Sequence, residues 1–170
     1  LIDSGSGRFV PLGPLAGWWE TFGAPVFSTE GPVAAKLVAS ADGRASAMVR
    51  FDLAGPAPRA QSVVFESSPP PGWRSAFDLS PSGNLALLAH ETGASLYAVP
   101  SGRRVATTTL PPAWRAAATS FLAEDQARVW LVPTINVRAP EARAQVLVLD
   151  LAAGGTRTAR FPLTPVPDVG

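Results

Sequence analysis

His90 is the only histidine in the chain, and there is no cysteine. A serine nucleophile needs a base, usually a histidine held in place by a carboxylate. Serine and aspartate are plentiful, so His90 could in principle join a Ser-His-Asp arrangement. No Gly-x-Ser-x-Gly turn between a strand and a helix supports one. The "DSGSG" stretch at 3–7 fits a hairpin turn instead. One imidazole cannot build a histidine metal cluster, and no thiolate is available as nucleophile or zinc ligand. The carboxylates stand singly. Glu124 and Asp125 fall in a predicted turn, and the spaced acidic loop of a calcium site is absent. "SGSGR" is too short for a phosphate loop and lacks the lysine that completes one. The sequence therefore predicts no catalytic group, no metal ligand and no cofactor site.

Tryptophan and arginine point to binding instead. Trp73-Arg74 and Trp114-Arg115 stand at matching places in two similar stretches, "PPGWRSA" and "PPAWRAA". An indole at such a place can fill the wedge between packed layers. It can also anchor a sugar or protein contact, since Trp and Arg are favoured interface anchors. Trp18 and Trp19 are adjacent. In an extended segment neighbouring side chains face opposite ways, so one of the pair is a candidate exposed contact. The candidate interaction residues are Trp18, Trp19, Trp73, Arg74, Trp114 and Arg115. The longer loop in "VPTINVRAPEARAQ" (132–145) replaces a tight turn; a tolerated insertion accounts for it, and recognition is the alternative, since loops on rigid scaffolds often carry it.

These residues need a scaffold. The chain has 170 residues, of which 46% are hydrophobic and 16% charged, a balance suited to one globular domain rather than a disordered chain. Net charge is +1 and the arginines are scattered, so no electrostatic footprint for nucleic acid is expected. No apolar run approaches the length of a membrane span. The absence of cysteine suits either redox compartment. The chain begins at Leu1 rather than Met, which predicts a removed leader or a segment of a longer chain.

The scaffold is legible as a repeat. "LIDSGSGRFVPL" (1–12), "VRFDLAGPAPRAQSVVF" (49–65), "LYAVPSGRRVATTTL" (96–110) and "VLDLAAGGTRTARFPL" (148–163) align around a turn, with Asp3, Asp52, Val99 and Asp150 in register. Each is an apolar run, a Gly-bearing turn and a second extended run, which is a hairpin signal. Between these turns, "PPGWRSAFDLSPSGNLALLAHE" (70–91) aligns with "PPAWRAAATSFLAEDQARVWLVP" (111–133), and more loosely with 17–40. The Ala, Leu, Glu and Gln of 113–132 would suit a helix. The aligned copy, however, carries a Pro-Ser-Gly turn and cannot be one helix.

The combined unit has four extended runs, in the middle copy near 74–80, 84–91, 94–99 and 103–110. The second and third runs are continuously apolar, as in strands covered on both faces. The fourth alternates, as in a strand beside water. Four-stranded units of this period, stacked on their neighbours, predict an all-β chain built as a β-propeller-like array of antiparallel blades. A β-sandwich with irregular hairpins is the competing all-β fold.

"DLSPSGNLALLAHETGASLYAVPSGRRVATTTL" resembles a blade of the WD40-like and YVTN-like bacterial propellers. Ser80-Pro81-Ser82-Gly83 matches the Ser-Pro-Asp-Gly turn of those families, and Gly93 and Tyr97 hold the later places. The aromatic-Asp pair is replaced by Tyr97-Ala98 and Leu149-Asp150, and Trp-Arg stands where Gly-His is expected. The resemblance implies the outer half of a blade at 1–13, blades at 14–67, 68–110 and 111–163, and a tail at 164–170. An array of this size is incomplete by itself, because natural propellers close with at least four blades. The expected function is a non-catalytic protein-interaction or scaffold module. Its partners would be other chains, or missing blades of the same polypeptide. A propeller domain of a larger hydrolase or quinoprotein-like enzyme is the first alternative, and a carbohydrate-binding propeller the second. Compartment is left open, with a lean to a bacterial extracytoplasmic setting.

Overall fold

The computed structural model describes residues 21–40, 42–54, 59–69, 71–72, 75–110, 114–133, 145–150 and 157–162. Among them every regular element is a strand, and no helix is long and apolar enough to cross a membrane. Residues 114–133, where composition also suited a helix, form two strands.

Three four-stranded antiparallel sheets follow one another along the chain. The first holds β1 (Thr21–Phe27), β2 (Val33–Ala39), β3 (Ser46–Asp52) and β4 (Arg59–Val64). The second holds β5 (Ala76–Leu79), β6 (Leu85–His90), β7 (Gly93–Ala98) and β8 (Arg104–Thr109). The third holds β9 (Trp114–Ala123), β10 (Gln126–Pro133), β11 (Gln145–Asp150) and β12 (Arg157–Pro162). In each sheet spatial order follows chain order, so strands consecutive in the chain are antiparallel neighbours.

Burial follows the hydrophobic pattern. The middle strands β2, β3, β6 and β7 are buried along most of their length. The fourth strands β4 and β8 are mostly exposed; Val64 and Val105 remain about half exposed, at 52% and 50%. Arg59 and Arg104 open these two strands, and charge on an uncovered strand discourages pairing with another chain.

The sheets stack face to face. Side chains alternate along a strand, so each middle strand serves two layers. Val33, Ala35 and Leu37 of β2 join Ala86, Leu88 and Tyr97 in the core between the first and second sheets. Leu87 and Ala89 of β6 turn the other way and meet Ala127, Val129 and Leu131 of β10. Ala34, Val38, Val49 and Phe51 form a third buried cluster on the far face of the first sheet. The first strands lie side by side: β5 touches both β1 and β9.

The tight turns are anchored by serine. Ser28, Ser40 and Ser80 each donate their N–H to the carbonyl five residues on, at 2.9, 2.8 and 2.9 Å. Each Oγ accepts the N–H of that same residue, at 3.2, 2.9 and 3.0 Å. Glycine sits three places after each serine, and at Gly43 and Gly83 φ is +67° and +77°. Ser40 also donates to Asp42 Oδ1 at 2.6 Å, and this bond holds the Asp42 carboxyl below its ordinary pKa.

Candidate functional site

Hydrogen bonds cross both seams at the turns that join a first strand to its second. Glu30 N–H, in the β1–β2 turn, donates to Pro81 O in the β5–β6 turn at 2.9 Å. That second turn then holds the third sheet. Ser80 Oγ and Ser82 Oγ donate to Glu124 Oε1 at 2.9 and 2.7 Å, and Ser82 N–H donates to Glu124 Oε2 at 3.1 Å. One carboxylate thus receives three hydrogen bonds across the seam. A second carboxylate reinforces it: Asp78 Oδ2 accepts Phe121 N–H at 3.1 Å. At the outer side of the first seam, Glu66 N–H donates to Gly102 O at 2.9 Å, and Glu66 Oε2 accepts Arg104 N–H at 3.0 Å.

Ser80 is fully buried, so the Glu124 carboxylate is the acceptor that satisfies its hydroxyl. Glu124→Ala removes three charge-assisted bonds and strands that hydroxyl. Such a loss is expected to cost about 2–3 kcal/mol. Glu124→Gln, which keeps an acceptor, should cost less. Chemical denaturation of the two variants checks the order.

Two half-buried titratable groups carry opposite pH signatures. Burial pulls the His90 pKa below its ordinary 6.5. As pH falls below 6.5 the unfolded chain takes up a proton that the folded chain resists, so the fold weakens toward acid. Burial also pushes the Asp78 carboxyl above its ordinary 3.8, outweighing its backbone hydrogen bonds at Leu79 and Phe121. The unfolded chain then loses its proton first, and stability falls as pH rises from 3.8 through the raised value. His90→Gln should flatten the acid-side decline. Asp78→Asn, which retains an acceptor for Phe121 N–H, should flatten the other. Thermal melts across pH separate the two effects.

Of the sequence candidates, Trp18, Trp19, Trp73 and Arg74 lie outside the described residues. Trp114 and Arg115 open β9. Trp114 is half-buried and packs against the core between the second and third sheets. Arg115, paired with Val132, faces away from that core. Most of the 132–145 loop is also outside the described residues.

A cavity of about 250 Å³ lies among β1, β5 and β9. Its walls are mostly small and apolar, with Ala24, Ala76, Ala117 and Ala118 beside Phe77. No group of three or more metal-ligating side chains occurs among the described residues.

The seam network was not foreseen from sequence. Glu124 falls in a predicted turn, but its serine partners are 44 and 42 residues earlier, and no local pattern marks the pairing. The serine turns did leave a signal. "STEG", "SADG" and "SPSG" share Ser and Gly three apart, the spacing of the serine-anchored turns. A scan against protein-family models finds none that matches the chain, and a search of curated proteins finds none similar to it.

Proposed function

We propose that the three sheets are consecutive blades of a β-propeller-type module in the WD40-like and YVTN-like style. The module's work is to hold protein partners within a larger chain or multi-subunit assembly. The observation that carries this reading is the stacking geometry. The first strands β1, β5 and β9 adjoin one another, while the fourth strands β4 and β8 stand exposed. Sheets gathered at one edge and splayed at the other are how blades surround an axis. The turn-to-turn bonds lend the same support: the β1–β2 turn meets the β5–β6 turn through Glu30 N–H and Pro81 O, and the β5–β6 turn meets Glu124, after β9, through Ser80 and Ser82.

The described residues build three units, and the smallest natural rings hold four. Under this reading the array docks onto strands from outside it, whether further units of the same polypeptide or another chain. Size-exclusion chromatography with light scattering, together with a hydrophobic dye, tests it on the 170-residue chain. Self-association or dye binding is the expected result. A stable monomer that binds no dye would mean that the fold closes by itself, and the module reading would fall.

A further inference from the structure

The third sheet carries arginine and tryptophan on the face of β9 and β10 turned away from the second sheet. Ala127, Val129 and Leu131 of β10 point toward the second sheet and are fully buried. The alternate residues Arg128, Trp130 and Val132 point the opposite way and are half-buried. From β9, register places Arg115, Ala118 and Ser120 on that same face, opposite Val132, Trp130 and Arg128. The corresponding positions of β2 and β6, on the faces that receive the next sheet, are Val33, Ala35, Leu37, Leu87 and Ala89. Arg128 and Trp130 thus stand on β10 at positions where β2 and β6 carry aliphatic side chains.

We propose that this face is a docking surface for an acidic, extended segment of a partner protein. Charge complementarity names the occupant, because β9 and β10 place Arg115 and Arg128 on this face and the register of β11 and β12 adds one carboxylate position, Asp150, and one further arginine position, Arg157, so that cations outnumber carboxylates there. Half-buried arginines favour carboxylates, which accept two parallel hydrogen bonds from one guanidinium. Trp130 lies between them, with its indole Nε1–H toward Ser120 Oγ at 3.5 Å, and offers an apolar platform. The spacing sets a pattern on the partner. Arg115 sits beside Val132, four residues along β10 from Arg128, a distance of roughly 13 Å at the rise of a strand. An extended segment spans that distance between its first and fifth residues. The fitting segment therefore carries carboxylates at positions one and five and an apolar side chain at position three, all on one face.

This proposal deepens the protein-binding reading and rests on it for the class of partner. Its test is independent of the assembly state. The probe is a capped peptide with glutamate at positions one and five, leucine at three and threonine between. Controls replace both glutamates with lysine or bring the two glutamates next to each other, and a twelve-nucleotide oligothymidylate serves as a nucleic acid. The reporter is the Trp130 indole N–H resonance, assigned by its loss in Trp130→Phe. Saturable shifts with the spaced acidic peptide are expected. At least tenfold weaker binding is expected for Arg115→Gln/Arg128→Gln, a double variant whose retained fold is checked by circular dichroism. The absence of a saturable shift would overturn the proposal. So would equal binding of the lysine peptide, which marks unspecific apolar adhesion, and so would tighter binding of the oligonucleotide. Specific binding by a chain that proves to be a closed monomer would leave this surface standing and remove only the assembly reading.

Discussion

Gly102→Ala is expected to unfasten the first sheet from the second, at a cost of roughly 3–5 kcal/mol. Gly102 ends the turn between β7 and β8 with φ +70°, a conformation that costs an L-residue about 1–2 kcal/mol. The larger part of the cost comes from space. A Cβ at this position would overlap the backbone carbonyl of Val64, deep inside van der Waals contact, and would also crowd Val63. A carbonyl in a strand cannot swing aside as a flexible side chain can, so the end of β4 has to move. That movement breaks the Glu66 N–H bond to Gly102 O and draws Glu66 away from Arg104. Gly43 provides the internal control. It has nearly the same φ, +67°, but nothing lies within 4 Å of where its Cβ would be. Gly43→Ala should therefore cost only the conformational part, about 1 kcal/mol. Denaturant unfolding of the two variants separates strain from collision. Equal losses would show that the close approach of Gly102 to β4 contributes nothing.

How far this architecture was legible in the sequence depends on how local the cause is. The strands of the second sheet follow from residues 74–110 almost to the residue, because their signals are contiguous. Pro and Gly bound the runs, the apolar stretches "LALLA" and "ASLYA" mark covered strands, and "RVATTT" alternates as a strand beside water does. The all-β class likewise follows from repetition of that unit, and repetition settled the assignment of 114–133 against its helix-favouring composition. What joins one sheet to the next was not legible. Glu124 and Ser80 are neighbours only because two turns arrive at the same seam, and either residue alone reads as ordinary turn chemistry. The face of Arg128 and Trp130 is hidden from the sequence for another reason. Alternation in "QARVWLVP" shows that two faces exist. Which of them meets the second sheet depends on the register of β10 with β9, including the bulge between Trp130 and Leu131.

The seam between the first and second sheets has its own centre, and removing it is the other change of large expected effect. Phe65 follows directly on β4, is 1% exposed, and stacks on Tyr97 of β7 with ring centroids 4.4 Å apart and planes 20° apart. Phe77 of β5 stands on its other side at 6.3 Å. The ring thus belongs to one sheet and is enclosed by the next, so its burial exists only while the two remain docked. Phe65→Ala should cost about 3–5 kcal/mol through lost apolar contact and the cavity left behind. Phe65→Leu, which refills much of the volume, should cost less than half of that. Tyr97 answers a different question. Its hydroxyl is buried near Ser68 and Ser95 and makes no well-formed hydrogen bond. Ser68 Oγ is engaged with the Ser46 backbone and Ser95 Oγ with Thr107. Tyr97→Phe deletes that oxygen while keeping the ring that Phe65 needs, so its stability should stay within about 1 kcal/mol of the parent. Tyr97→Leu, which loses the stack, should move toward the cost of Phe65→Ala. Because the two rings act as one contact, the double change Phe65→Ala/Tyr97→Leu should cost clearly less than the two single changes added together. Strict additivity in that cycle would show that the rings stabilise their own sheets separately, and that the first seam is held by its aliphatic contacts and the Glu66–Gly102 bond instead.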